Sequence, residues 1–407
     1  MPTTIQRDVA LIDACTQESL RLLQRNLTPH GILAASVTPQ AEARSYTRIF
    51  GRDAAISILG MVGSGIEALE QGAVASLDAL ARSQAPNGQI PKYVDPDGRD
   101  ADFWYLGCID ATLWWLIAVR WVERYSAVPN VRGRWREAEE RALNWLLAQE
   151  HQKFFLLQQN EASDWADIMP RSGFVLYTNT LWYRVKELYD LAHRDQTHFH
   201  FNHLFHPFSG DLPEYRRARL LAHYVLDQAR NRDLYLSFVN FSFFGDEGDV
   251  FGNLLAILCG LADDSMARHI VDTLNDSGAA ADLPIRTVLD PIAPESDLWR
   301  PYMERHNQNF QHQYHNGGIW PFIGGFWVLT LAHLGRIDAA WDALEKLAYA
   351  NSLNDWRFTE WFHGRSLAPN GMPGQTWNAA TFLLARRVLE GRTTIAAGRE
   401  QEESQSA

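Results

Sequence analysis

The 407-residue chain is 46% hydrophobic and 21% charged, the balance of a globular protein with a large core rather than of a disordered one. Its formal net charge is −12 and its Lys and Arg are scattered, which excludes a nucleic-acid phosphate backbone as the main partner, because that contact relies on a basic surface. The 15 Trp, 13 Tyr and 20 Phe exceed what a core of this size needs, and flat aromatic rings suit ligands with apolar C–H faces, such as sugars.

The N-terminal stretch MPTTIQRDVALIDACTQ carries no charged region followed by an apolar one, so neither a signal peptide nor a membrane anchor is expected. Cys15, Cys108 and Cys259 are odd in number and widely spaced. Free thiols in a reducing cytoplasmic setting are the expectation.

In chain order, apolar periodicity predicts helices at Arg7–Arg25, Asp53–Gly63, Ile66–Ser83, Asp110–Tyr125, Trp135–Glu150 and Val175–His193. Six more follow at Pro213–Arg230, Asp249–Leu261, Asp264–Asn275, Gly318–Leu334, Asp338–Ala350 and Thr376–Glu390. Two kinds alternate. REAEERALNWLLAQE and DAAWDALEKLAYA place apolar residues at three- and four-residue spacing with a charged outer face, whereas DATLWWLIAV, VFGNLLAILCGLA and GIWPFIGGFWVLTLAHL are apolar nearly all round. Amphipathic outer and apolar inner helices in alternation predict six helical hairpins closed into an all-α (α/α)6 toroid. One such domain is expected over residues 1–392, with a polar, disordered tail at 393–407. An open solenoid of helical pairs is the alternative, although no fixed sequence period is present.

Each predicted inner helix follows a segment rich in polar, Gly and aromatic residues. They are SYTRIFGRDA, PNGQIPKYVDPDGRDADFWYLGCID, EASDWADIMPRSG, FVNFSFFGDEGD, HNQNFQHQYHNGG and NDWRFTEWFHGRSLAPNGMPGQ. In a closed toroid these six crowd one end and line a cup, and loops on a rigid scaffold are where function usually sits.

The motifs FGRDAAIS (residues 50–57), GQIPKYVDPDG (88–98) and IDATLWWLIAV (109–119) resemble the amylo-α-1,6-glucosidase part of glycogen-debranching enzymes. FGNLLAI (251–257), YHNGGIWP (314–321), TEWFHG (359–364) and QTWNAATFLLA (375–385) resemble the alkaline/neutral invertases. The resemblance spans roughly residues 46–387 and implies an inverting glycoside hydrolase on an (α/α)6 barrel, needing no cofactor or metal and taking a small saccharide such as sucrose. A debranching-type α-glucosidase is the alternative. A homo-oligomer is compatible with the sequence.

The same resemblance gives two carboxylates roles, Asp110 as general acid and Glu360 as general base. Inversion requires them about 6.5–9.5 Å apart, leaving room for a water. On residue type alone Asp110 is equally a helix N-cap and Glu360 a surface loop residue, although Phe358, Trp361 and Phe362 surround it. The other expected substrate-binding residues are Arg52 and Asp53, the wall Asp164, Trp165, Asp167 and Arg171, the pair His315 and Asn316, Gln375 and Trp377, and the stacking candidates Trp104 and Trp320. Asp164 or Asp167 is the reserve acid if Asp110 is structural. Tyr177 stands where both families carry a Glu, and His363 where the invertases carry an Asp. An epimerase relying on His315 and His363, and a silent sugar-binding protein with the two carboxylates tied to arginines, are the readings from other classes. HFHFNHLFH, with His198, His200, His203 and His206, has metal-like spacing without Cys or carboxylate partners. An aromatic-rich loop is expected there.

Overall fold

The computed structural model describes residues 7–104, 107–208, 218–240 and 243–394. Its helices are α1 (Val9–Arg25), α2 (Pro39–Ala43), α3 (Gly51–Met61), α4 (Glu67–Arg82), α5 (Ile109–Tyr125), α6 (Arg136–Leu147) and α7 (Leu176–Leu188). The remainder are α8 (Arg194–Phe205), α9 (Ala218–Gln228), α10 (Val250–Leu258), α11 (Asp264–Asp276), α12 (Pro321–His333), α13 (Ile337–Trp356) and α14 (Thr376–Leu389).

Six of these form a closed ring. α3 packs on α5, α5 on α7, α7 on α10, α10 on α12 and α12 on α14, and α14 returns to α3. That last contact makes the fold an (α/α)6 toroid and excludes the open solenoid. Composition explains the layering. Every residue of α12 from Pro321 to Leu331 is buried, as an inner helix packed on both sides requires, whereas α11 buries only Ala267, Ile270, Val271 and Leu274, the single stripe of an outer helix. The closing contact depends on Gly60, because a Cβ there would stand 2.0 Å from the Ala380 carbonyl oxygen.

The outer layer differs from expectation at one place. The helix packed behind α7 is α8, the His-rich segment expected to be a loop. His, Phe and Asn are indifferent helix formers, yet Thr197, Phe201, Leu204 and Phe205 are the residues it buries, which is one helical stripe. α9 covers residues 218–228 of the expected Pro213–Arg230 helix; residues 213–217 lie outside the described residues, as does the expected tail beyond Thr394. Short antiparallel strands tie the loops together at one end of the ring. Ile49–Phe50, Tyr93–Val94 and Ala101–Asp102 form one sheet, and Gln158–Gln159, Gly173–Val175, Phe238–Val239 and Phe244–Gly245 another. Among the described residues no helix is long and apolar enough to cross a membrane.

Candidate active site

The loops that enter α3, α5, α7, α12 and α14 meet around a cavity of about 300 Å3. Its wall interleaves the aromatic rings of Phe50, Trp165, Trp320 and Trp377 with the polar groups of Arg52, Asp53, Lys92, Asp167, His315 and Glu360. The loop before α10 contributes none of the lining. A larger cavity of about 530 Å3, between α1 and the end of α14, shares no residue with this one, and its carboxylates Asp13 and Glu390 are both paired with Arg386.

Glu360 is 3% exposed. Tyr46 Oη donates to its Oε1 at 2.6 Å and the Met372 backbone N–H to its Oε2 at 2.8 Å. Burial pushes its carboxyl up to about 7, against the pull of those two hydrogen bonds. The backbone delivering it is strained. Trp356 and Phe358 hold φ of 55° and 47°, costly for bulky side chains and typical of functional sites.

Asp110 stands in the first turn of α5, two residues beyond the Cys108 N-cap, which holds a left-handed conformation at φ 65°. The N-cap position is held by Cys108 and not by Asp110, so the bland N-cap reading does not hold. It is fully buried and absent from the cavity lining. Its Oδ2 accepts from Arg52 Nη1 at 3.2 Å and from Tyr177 Oη at 3.1 Å, and Cys108 Sγ donates to Oδ1 at 3.4 Å. Trp114 Nε1 in turn donates to Tyr177 Oη at 2.7 Å. The expectation that both carboxylates open onto the cup therefore meets only Glu360. Asp110 lies one layer deeper, reached through Arg52, because a buried carboxylate needs its charge paired.

Arg52 joins the two layers. It bonds Asp110 below, lines the cavity above, and lies 5.8 Å from the centre of the Trp377 ring. Its Nε comes within 3.2 Å of Asp53 Oδ2, but the two are not aligned for a hydrogen bond and both atoms are without one. Burial raises the Asp53 carboxyl despite the Arg52 charge. The Trp165 and Trp377 indole N–H groups and His315 Nδ1 also lack hydrogen-bond partners. An uncompensated cluster of buried donors and acceptors around a cavity is what a polyhydroxylated ligand can satisfy. Burial, followed by the charges of Arg171 and Arg52, holds the His315 imidazole neutral, its pKa well below the usual value.

Of the other expected residues, Trp104, Trp165, Asp167, His315, Trp320 and Trp377 line the cavity. Lys92 Nζ lies 4.2 Å from the Trp104 ring centre and 3.6 Å from Asp167 Oδ2. Trp320 is 2% exposed and stacks on His315 at 5.2 Å, so packing holds it.

Asp164, Arg171, Asn316 and Gln375 do not line this cavity, contrary to expectation. Arg171 is 1% exposed and pairs with Glu247 at 3.4 Å and Asp249 at 3.3 Å, a buried cation requiring two carboxylates from the loop before α10. Asp164 accepts the Ala166 N–H and Gln159 Nε2. Asn316 ties together Ile292 and Asn309. Gln375 is fully buried at the N-cap of α14.

His363 does not line the cavity that His315 lines, so the paired-histidine reading lacks a shared site. His203 and His206 turn to the backbone carbonyls of Phe199 and Arg232, and no group of three or more His, Cys, Asp or Glu among the described residues is placed to hold a metal.

Sequence reasoning missed Tyr46, Lys92 and Tyr314 as wall residues. Their signals were membership of the loop segments before inner helices and, for Lys92 and Tyr314, of the motifs GQIPKYVDPDG and YHNGGIWP.

Residues 232–391 match the family of alkaline and neutral invertases. Alkaline/neutral invertase E of Arabidopsis thaliana is 29% identical over 177 residues, 41% of this chain and 27% of the relative. Cytosolic invertase 1 of Oryza sativa subsp. japonica is 31% identical over 145 residues, 34% and 25% respectively. The chain thus spans about a quarter of the length of these relatives. Among solved structures, a GH63 mannosylglycerate hydrolase from Thermus thermophilus, in complex with Tris and D-glycerate, superposes with a TM-score of 0.61 at 15% identity, covering 92% of this chain and 100% of that one. The same hydrolase in complex with glucose gives 0.61 at 16%. The chain therefore has the closed (α/α)6 helical ring of those structures, and its residues 232–391 are similar to the alkaline and neutral invertases.

Proposed function

We propose that the chain is an inverting glycoside hydrolase acting on a small glycoside such as sucrose, with Glu360 as general base and Asp110 as general acid. The observation that carries this reading is Glu360: a carboxyl raised to about 7 by burial, held by Tyr46 and Met372, on a cavity walled by tryptophans. A base with that pKa is half ionised at neutrality, close to the optimum for proton transfer. A cavity of about 300 Å3 favours a single sugar ring over a glucan branch.

Water loses its proton to Glu360 as its oxygen bonds the anomeric carbon, the glycosidic C–O bond breaks on the opposite face, and Asp110 protonates the leaving oxygen. Sugar hydroxyls meeting Asp53 Oδ2 and Arg52 Nε draw the guanidinium off Asp110 and open it toward the leaving oxygen, to which it gives a proton taken from solvent, while the proton left on Glu360 returns to solvent after product leaves. The three described cysteines, buried and unpaired, fit a reducing compartment.

One observation favours a second assignment of the acid. Asp167 opens directly onto the cavity, with 31% of its side chain exposed, whereas Asp110 is sealed beneath Arg52. On that assignment Asp110 only anchors Arg52.

The test is a panel of disaccharides and glycosides with the product anomer read by NMR, run on the wild type, Asp110→Asn, Asp167→Asn and Glu360→Gln. Inversion with loss of turnover in Asp110→Asn and Glu360→Gln, sugar binding being kept, supports the first assignment. Loss in Asp167→Asn alone shifts the acid to Asp167. A retained anomer sinks inversion, and full activity in Glu360→Gln sinks Glu360 as the base.

A further inference from the structure

Glu360 lines not one cavity but two. Beyond it lies a second space of about 430 Å3, and Arg44, Tyr46, Tyr314 and Glu360 are common to both linings. These four side chains are therefore the partition between the two. The chambers differ in chemistry. The first is walled by three cavity-lining tryptophans besides Trp104, whereas the second has Trp361 alone and is otherwise rich in side-chain amides and imidazoles, among them Gln308, Gln313, Asn370 and His363, groups that hydrogen-bond water. Gln40, Asn307 and Ala368 on its wall are exposed, so it reaches the surface without passing through the sugar pocket. Gly371 fixes the carboxylate from this side. It holds φ 76°, and a Cβ there would lie 2.2 Å from Glu360 Oε2.

We propose that the second chamber is the route by which hydrolytic water reaches Glu360 while the sugar fills the first. This rests on the reading of Glu360 as general base. Inversion places the attacking water on the base's side of the sugar ring, away from the leaving group. A ring seated in about 300 Å3 closes the front entrance to that side. The Tyr46–Glu360–Tyr314 partition is then the water gate, and the amide-lined chamber its reservoir.

α-D-Glucosyl fluoride isolates this step, because fluoride departs without a proton from a general acid. Water's oxygen bonds C1, the C1–F bond breaks, and the water proton passes to the Glu360 carboxylate. Gln40→Trp and Ala368→Trp, at two separate exposed positions, narrow the chamber, with Ala368→Ser as the size control. Fluoride release followed by electrode should fall at least tenfold in kcat for both Trp variants. KM should stay within twofold, the acidic limb of the pH profile should not move, and Ala368→Ser should match the wild type. Unchanged kcat in both Trp variants overturns the proposal. So does a rise in KM with kcat kept, which would make the chamber a leaving-group site. Absence of wild-type turnover, or an unimpaired Glu360→Gln, removes the general-base reading and the water route with it.

Discussion

Replacing Glu360 by Gln should abolish turnover and yet stabilise the fold at alkaline pH. Burial raises the carboxyl from 4.5 to about 7. Below about pH 4.5 the group is protonated in both folded and unfolded chains and contributes no difference between wild type and variant. Between 4.5 and 7 the unfolded chain releases the proton while the folded one keeps it, so the stability associated with the raised pKa is lost as pH rises through that window. A shift of 2.5 units corresponds to roughly 3 kcal/mol at 1.36 kcal/mol per unit. Gln carries no charge and escapes this loss. Its amide must accept from the Met372 N–H and leave Tyr46 Oη to act as acceptor, a rearrangement costing about 1 kcal/mol. The expected net gain above pH 7.5 is about 2 kcal/mol, vanishing or reversing near pH 4.5. Urea unfolding of both proteins at pH 5, 6, 7 and 8 measures it. A difference that stays flat across this range, or grows toward acid, would refute burial as the origin of the raised pKa.

Tyr46→Phe removes the hydroxyl that holds Glu360 Oε1 and opposes the upward shift, so the acidic limb of kcat/KM should move to higher pH in a rate profile. Tyr177→Phe takes one donor from Asp110 and leaves Trp114 Nε1 without its acceptor; kcat should fall with KM little changed, and calorimetry should show a loss of about 1–3 kcal/mol. Gly60→Ala forces a methyl group to within 2.0 Å of the Ala380 carbonyl oxygen and should cost at least about 1–3 kcal/mol by prising α3 from α14, read as a lowered Tm.

The ring was legible because its two layers obey different rules. A helix buried all round, such as α12, must be apolar all round, and one buried on a single stripe, such as α11, must show that stripe. α8 escaped because its four-residue stripe of Thr197, Phe201, Leu204 and Phe205 is interleaved with histidines that draw the eye to metal chemistry. In the site, the loops were legible as a group and several of their side chains singly, since tryptophans and carboxylates announce themselves. What sequence could not supply was depth. Arg171 and Asp167 stand four residues apart in one motif, yet the first is sunk between Glu247 and Asp249 while the second opens onto the cavity. That choice is made by residues about 80 positions later in the chain.

Depth also governs how the two proposed catalytic carboxylates divide their work. Each is held by a tyrosine hydroxyl, Tyr46 on Glu360 and Tyr177 on Asp110, but only Asp110 has a guanidinium bonded to it. A general acid at Asp110 must come free of that guanidinium when the bond breaks, whereas Glu360 already faces the cavity. Substrate has to bring that about, and Arg52 is the side chain able to respond, because it touches Asp110 and faces Asp53 and the cavity. A sugar that engages Arg52 and Asp53 frees Asp110 to bind a proton, and filling the pocket fixes the water that Glu360 must deprotonate. Arg52 is on this view a switch set by the substrate, which makes an empty site poorly competent and a filled one poised.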